Sequence, residues 1–163
     1  MIKTIKNFAI SPLIVSLFLL ISPFSISPAV GAPDSPSKQT MAEPEPSMDN
    51  PRKVLVSLNF NDEKSVSSLL YNVINIQKAY GQDNLEIAVL GWGPGVRALL
   101  NDSPVKARIK SQMQYDIQFI ACGNTLDTIG ISPDNLIDGV ELVKAGLPEI
   151  IERELMGWSI IWP

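Results

Sequence analysis

The chain predicts an α/β fold: a mostly parallel, five-stranded sheet with helices on both faces. Three observations carry this. Short, nearly wholly apolar runs recur between Lys53 and Trp162, as strands buried on both faces require. Segments with helical spacing of apolar residues separate several of these runs. Polar or glycine-rich stretches follow the first three runs, where strand–helix units place their loops.

Residues 53–58 (Lys-Val-Leu-Val-Ser-Leu) form the first expected strand, and Asn59-Phe60-Asn61-Asp62 the loop at its carboxyl end. A helix is expected from Ser65, because Val66, Leu69, Leu70, Val73, Ile74 and Tyr80 recur at helical spacing; Gly81 stops it. Residues 85–90 are the second strand, followed by the loop Gly91-Trp92-Gly93-Pro94-Gly95 and a helical turn over 96–100. Asn101-Asp102-Ser103-Pro104 is expected to cap a helix over 105–114. Residues 116–121 form the third strand, ending at Cys122, with a short helix over 124–130 and a further turn at Ser132-Pro133-Asp134-Asn135. Residues 139–143 are a shorter fourth strand suited to a sheet edge. Pro148 lies in the first turn of a helix over 147–156, Gly157 ends it, and residues 158–162 are the last strand. No internal repeat is visible, and no boundary splits residues 53–163.

Two segments precede this domain. Residues 1–32 read as an export signal: Lys3 and Lys6 precede an apolar core over 13–21, and Ala29-Val30-Gly31-Ala32 offers small residues for cleavage. The expected location is therefore periplasmic or extracellular. The alternative is an uncleaved membrane anchor, since Ser and Pro alone interrupt the apolar run over 8–30, although the core is shorter than the ~20 residues a span needs. Membrane association is expected only in that case. No cysteine lies near the cleavage region, which excludes lipid attachment through one. Residues 33–52 are rich in Pro and Ser and poor in large apolar groups, the composition of a disordered, extended linker.

Composition narrows the function. The formal charge is −4, giving no general attraction for nucleic acid, and the one compact basic cluster (Lys106, Arg108, Lys110) reads as a solvated helix face. The 163 residues include no histidine, which removes Ser-His-Asp and Cys-His catalysis and the commonest zinc ligand; no metal site is expected. One cysteine makes neither an intramolecular disulfide nor a CxxC pair, so any thiol chemistry uses a partner thiol.

Cys122 is the centre of interest. An apolar strand ends there and Gly123, Asn124 and Thr125 open a helix, which puts the thiol at the carboxyl edge of the sheet, where open α/β folds bind ligands. Backbone N–H groups at that helix N-terminus favour thiolate over thiol. The plainer reading is a cysteine that fills core volume. Three loops meet at this edge: 59–63, 91–95 and 122–125. The glycines Gly91, Gly93 and Gly95 have GxGxG spacing, which lacks the pattern of a dinucleotide site and the lysine of a P-loop, so no cofactor is expected; they make a close turn beside the cysteine. Trp92 either shields a pocket or packs in a subunit contact. Asn59 and Asn61 donate into the pocket or only form turns, and Asn124 and Thr125 either hydrogen-bond the sulfur or only cap the helix. Arg97 is the nearest cation to the second loop. Asp62, Glu63 and Asp127 show no paired spacing for acid–base work and read as caps or solvated groups.

At these residues the chain resembles the DsrE/DsrF-like family of sulfur-relay proteins. The resemblance covers the whole domain; the best matching segments are Asn72-Val73-Ile74-Asn75, Gly91-Trp92-Gly93-Pro94-Gly95-Val96, Ile120-Ala121-Cys122-Gly123-Asn124-Thr125-Leu126 and Val143-Lys144-Ala145-Gly146. It implies a three-layer α/β/α sandwich of YchN-like type, a flavodoxin-like variant, assembled as a homo-oligomer (trimers or hexamers). It also implies that Cys122 accepts sulfur as a persulfide and passes it on, with an external thiol or a sulfur-donor protein as partner. The departure is the export signal: the sulfur-relay members work in the cytoplasm, so donor and acceptor do not carry over. Two other readings compete with a sulfur carrier, a non-catalytic module that binds a small ligand or anion at the same edge, and an oligomeric interaction protein.

Overall fold

The computed structural model describes residues 40–163. The export-signal or anchor reading and the first part of the expected linker lie outside the described residues. Residues 40–51 of that linker carry a turn closed by a Ser47–Asn50 bridge, and Arg52 Nη2 donates to the carbonyls of Ala42 (2.6 Å) and Pro44 (2.9 Å). This part is therefore fastened to the domain rather than extended.

Five strands, β1 (Arg52–Leu58), β2 (Leu85–Gly91), β3 (Ile117–Cys122), β4 (Glu141–Val143) and β5 (Ser159–Ile161), form one sheet in the order β4-β3-β2-β1-β5. Every pairing is parallel, with Val54 opposite Ile87, Val89 opposite Phe119 and Cys122 opposite Val143. Four α-helices connect them: α1 (Glu63–Tyr80), α2 (Lys106–Met113), α3 (Gly123–Ile129) and α4 (Gly146–Leu155). The expected elements are all present, with ends shifted by a few residues. The fourth strand begins at Glu141 rather than at 139, because Gly139 adopts a left-handed φ of 93° that a strand cannot contain. Gly93–Leu99 is one 3-10 helix, longer than the single turn expected.

Strand alternation divides the core. Val54, Val56, Leu58, Ile87, Val89, Ile117, Phe119 and Ala121 face one way and pack under Leu69, Leu70 and Val73 of α1, Ile109 of α2 and Leu126 of α3. Leu55, Ala88, Leu90 and Ile120 face the other way, where Ile150 of α4 covers them with Trp92, Val143, Trp158 and Ile160. The second layer is thin, one short helix against three on the first side. Ile150 contributes roughly 2–3 kcal/mol of burial there, and Arg153 of α4 braces it by bonding Glu149 (2.8 Å) and lying over the Trp158 ring (4.3 Å).

Asp62 caps α1, accepting from the Ser65 N–H at 2.9 Å, and that bond holds its carboxyl below the ordinary 3.8. The capping expected of residues 101–104 at α2 takes another form. No side chain caps that helix at Val105, and Ser103 Oγ accepts from the Val105 N–H at 3.4 Å.

Candidate functional site at the β3–β4 edge

Where the connections from neighbouring parallel strands leave to opposite faces, their carboxyl ends part and a crevice opens. This sheet has such a point between β3 and β4. The chain leaving β3 enters α3, whose Leu126 lies in the larger core; the chain leaving β4 enters α4, whose Ile150 lies in the thinner one. Cys122 is the last residue of β3 at that point, paired with Val143 of β4.

The Cys122 side chain shares the parity of Ile120 and so points to the α4 side. Its sulfur accepts a hydrogen bond from the Gly146 N–H, the first of α4, at 3.1 Å. This corrects the expectation that the helix after Gly123 supplies the donor. The Asn124 N–H of that helix is taken by the Lys144 carbonyl (2.9 Å), and Thr125 Oγ1 accepts from the Gly93 N–H (3.1 Å), so Thr125 neither touches the sulfur nor caps its helix. A backbone N–H aimed at sulfur is a natural partner for negative charge on it.

Cys122 is 5% exposed. Gly146 lies directly against it. A Cβ added to Gly146 would lie 3.0 Å from Trp92 Cβ, 3.3 Å from Cys122 Cβ and 3.5 Å from its sulfur, so only glycine lets α4 begin this close to the thiol. Trp92 is held from both ends: its Nε1–H donates to Ser57 Oγ at 2.9 Å, and its ring meets that of Trp162 edge-on, centroids 6.4 Å apart. Ser57, the one polar residue in an otherwise apolar run, accepts that bond. These contacts place Trp92 half-buried in the thinner core layer.

The other expected site residues occupy separate places. Gly91 ends β2, and its own Cβ position is closed by Leu99 Cδ1 at 2.7 Å. Gly95 backs onto the end of β1, where a Cβ would sit 2.6 Å from the Leu58 carbonyl carbon. Gly123 lies under the β4–α4 loop, 3.0 Å from the Val143 oxygen by the same measure. These three allow backbones to approach closely. Gly93, at φ 51°, turns the chain and lines an open cleft with Pro94, Arg97, Asn124, Thr125 and Thr128, on the α3 side of the sheet edge. Asn59 is exposed, and neither it nor Asn61 bonds the thiol. Among the described residues no three His, Cys, Asp or Glu side chains converge as metal ligands.

Sequence reasoning missed Gly146 and Ser57. The first was signalled by a glycine two residues before Pro148 at a helix start, the second by a hydroxyl inside a buried strand.

A one-layer-thin parallel sandwich with a lone thiol at its strand-divergence point defines a class of small α/β thiol proteins. The chain belongs to the DsrE/DsrF-like family, whose model matches residues 54–163. Among solved structures, it is similar to a protein of unknown function, MTH1491, from Methanobacterium thermoautotrophicum (30% identity, TM-score 0.66, covering 69% of this chain and 99% of that one). The ychN protein from E. coli shares the fold at 20% identity and TM-score 0.60, over 69% of this chain and 99% of that one. So does BT1422 from Bacteroides thetaiotaomicron, at 23% identity and TM-score 0.55, over 68% and 94%. No functionally curated protein sequence matches the chain significantly.

Proposed function

We propose that the protein is a sulfur carrier in which Cys122 holds one sulfur atom as a persulfide. The observation that carries this reading is the single thiol at the β3–β4 divergence with the Gly146 N–H pointing at its sulfur; family membership supports it. As thiolate, Cys122 attacks the outer sulfur of a donor persulfide. A new S–S bond forms on Cys122, the donor S–S bond breaks, and the donor leaves as its thiolate. An external thiolate then attacks the outer sulfur, takes it, and returns Cys122 to its starting state. No electrons are gained or lost overall, so neither step needs an oxidant. The chain has no second cysteine, hence the acceptor is another molecule. In a transfer assay from a sulfane donor to a small acceptor thiol, Cys122→Ser is expected to fall to the uncatalysed background. Transfer retained by the variant would refute the reading.

The working form is a homo-oligomer, expected as trimers or hexamers, joined through the outer face of α4. Leu147, Ile151 and Leu155 make an apolar stripe at four-residue spacing, with Leu155 78% exposed, and Leu142 on β4 and Ile161 and Trp162 at β5 are also exposed, at the two opposite edges of the sheet. In a trimeric ring this stripe would meet a different face of the next copy, and two-fold pairing of trimers into hexamers would oppose a patch to itself. Ile151→Glu places a charge in that contact and should shift the protein to monomers in light scattering, while its circular dichroism stays unchanged; an unshifted mass would place the contact elsewhere. Lys3, Lys6 and the apolar core over 13–21 support action outside the cytoplasm, in the periplasm or beyond, with a membrane-anchored form as the alternative.

A further inference from the structure

We propose that the cleft between the Gly93–Leu99 helix and α3 is a binding site for a small oxyanion, free or as a phosphate ester. The cleft is open, about 500 Å³, and lies at the carboxyl ends of β2 and β3. Arg97 is the one charged residue among those lining it, and among the described residues its guanidinium makes no ion pair or hydrogen bond. Glu63 and Asp102 line the neighbouring cavity with Arg97, yet neither pairs with it.

The polar groups around Arg97 leave donors unspent. Thr125 Oγ1 accepts from the Gly93 N–H at 3.1 Å, which orients the hydroxyl and leaves its own proton to donate. Thr128 spends its proton on the Asn124 carbonyl at 2.7 Å, but the Asn124 side-chain amide has no partner among the described residues. Arg97, a hydroxyl side chain and an amide side chain thus line one cleft whose lining holds no carboxylate. Planar, multidentate donors of this kind match the oxygens of phosphate or a sulfur oxyanion. The volume exceeds a single such ion and leaves room for the remainder of a phosphate ester. Nothing here depends on Cys122, whose side chain points to the opposite, α4 side of the sheet.

The test is an NMR titration of the ¹⁵N-labelled full chain with inorganic phosphate, sulfate and adenosine monophosphate, without any sulfane donor, so that its outcome is independent of persulfide chemistry. Saturable shifts are expected at the Gly93, Asn124 and Thr125 amides. Arg97→Gln, an exposed change that leaves the core untouched, should weaken binding by about tenfold or more, and Thr125→Val by a few-fold while Thr125→Ser preserves it. Tighter binding of the nucleotide assigns the site to phosphate esters, and equal or weaker binding assigns it to free oxyanions. Non-saturating shifts in the wild-type chain, or equal affinity in Arg97→Gln, would overturn the proposal.

Discussion

Gly95→Ala should be the most destabilising single-methyl change in this domain. The added Cβ would stand 2.6 Å from the Leu58 carbonyl carbon and 3.0 Å from the Asn59 nitrogen, with the Leu58 oxygen nearer still. All of these are backbone atoms at the end of β1, so no side chain can rotate to make room. β1 sits between β2 and β5 and cannot retreat without breaking one of those ladders. Relief must come from moving the Gly93–Leu99 helix, whose Val96 and Leu99 are fully buried. Overpacking a core typically costs 1–3 kcal/mol, and a collision confined to backbone belongs at or above the upper end, about 3 kcal/mol. For a domain of this size that lowers Tm by roughly 10 °C or more. Gly93→Ala is the control: a Cβ there meets nothing within 4 Å, and only the left-handed φ of 51° opposes it. It should cost about 1 kcal/mol. Equal melting temperatures for the two variants would contradict the close approach at Gly95.

Trp92→Ala should have two effects of opposite sign, lower stability and a more reactive thiol. The indole packs against the thinner core layer, bonds Ser57 through Nε1–H and meets Trp162 edge-on. Truncation removes that packing and leaves the Ser57 hydroxyl, 1% exposed, without its donor. Large-to-small changes at such positions cost about 3–5 kcal/mol when fully buried; Trp92 is half-buried, which places it nearer 2–3 kcal/mol. Trp92 belongs to the core layer on the face to which Cys122 points, so the same truncation loosens the packing on that side of the sheet. Alkylation of the native protein by a small uncharged reagent should then accelerate by about tenfold or more, since local opening on that side costs less. Trp92→Phe retains an aromatic ring there but not the hydrogen bond and should fall between. If Trp92→Ala is destabilised and its alkylation rate is unchanged, Trp92 does not control access to the sulfur.

Much of this architecture is legible in the residues. The apolar runs at 54–58, 85–90 and 117–121 are strands because a sheet covered on both faces has no polar side to spare, and the helices follow from spacing and stop at Gly81 and Gly157 as expected. The strand order is not legible in that way. Nothing local to β5 says that it crosses the sheet to pair with β1, since Ile160 and Ile161 would suit either edge. The site was legible as a place and not as an arrangement. Cys122 was recognisable at a strand end, but which face it points to depends on which helices cover which side, and that is settled only by packing. Its N–H partner lies 24 residues away in sequence, at Gly146. Thr125 and Asn124 resemble partners of the sulfur because they are neighbours in sequence; instead the Lys144 carbonyl takes the Asn124 backbone N–H and Thr125 Oγ1 accepts from the Gly93 N–H.

The proposed carrier role requires the buried Cys122 sulfur, against the first turn of α4, to react in the native protein. Intact-mass analysis of the native chain after exposure to a polysulfide donor tests that most directly. Addition of a single sulfur atom is expected, mapped to Cys122, removed by a reducing thiol and absent from Cys122→Ser. A native protein that takes up no sulfur, while the same chain unfolded in denaturant reacts fully at Cys122, would show the thiol to be packing and the carrier role to be wrong.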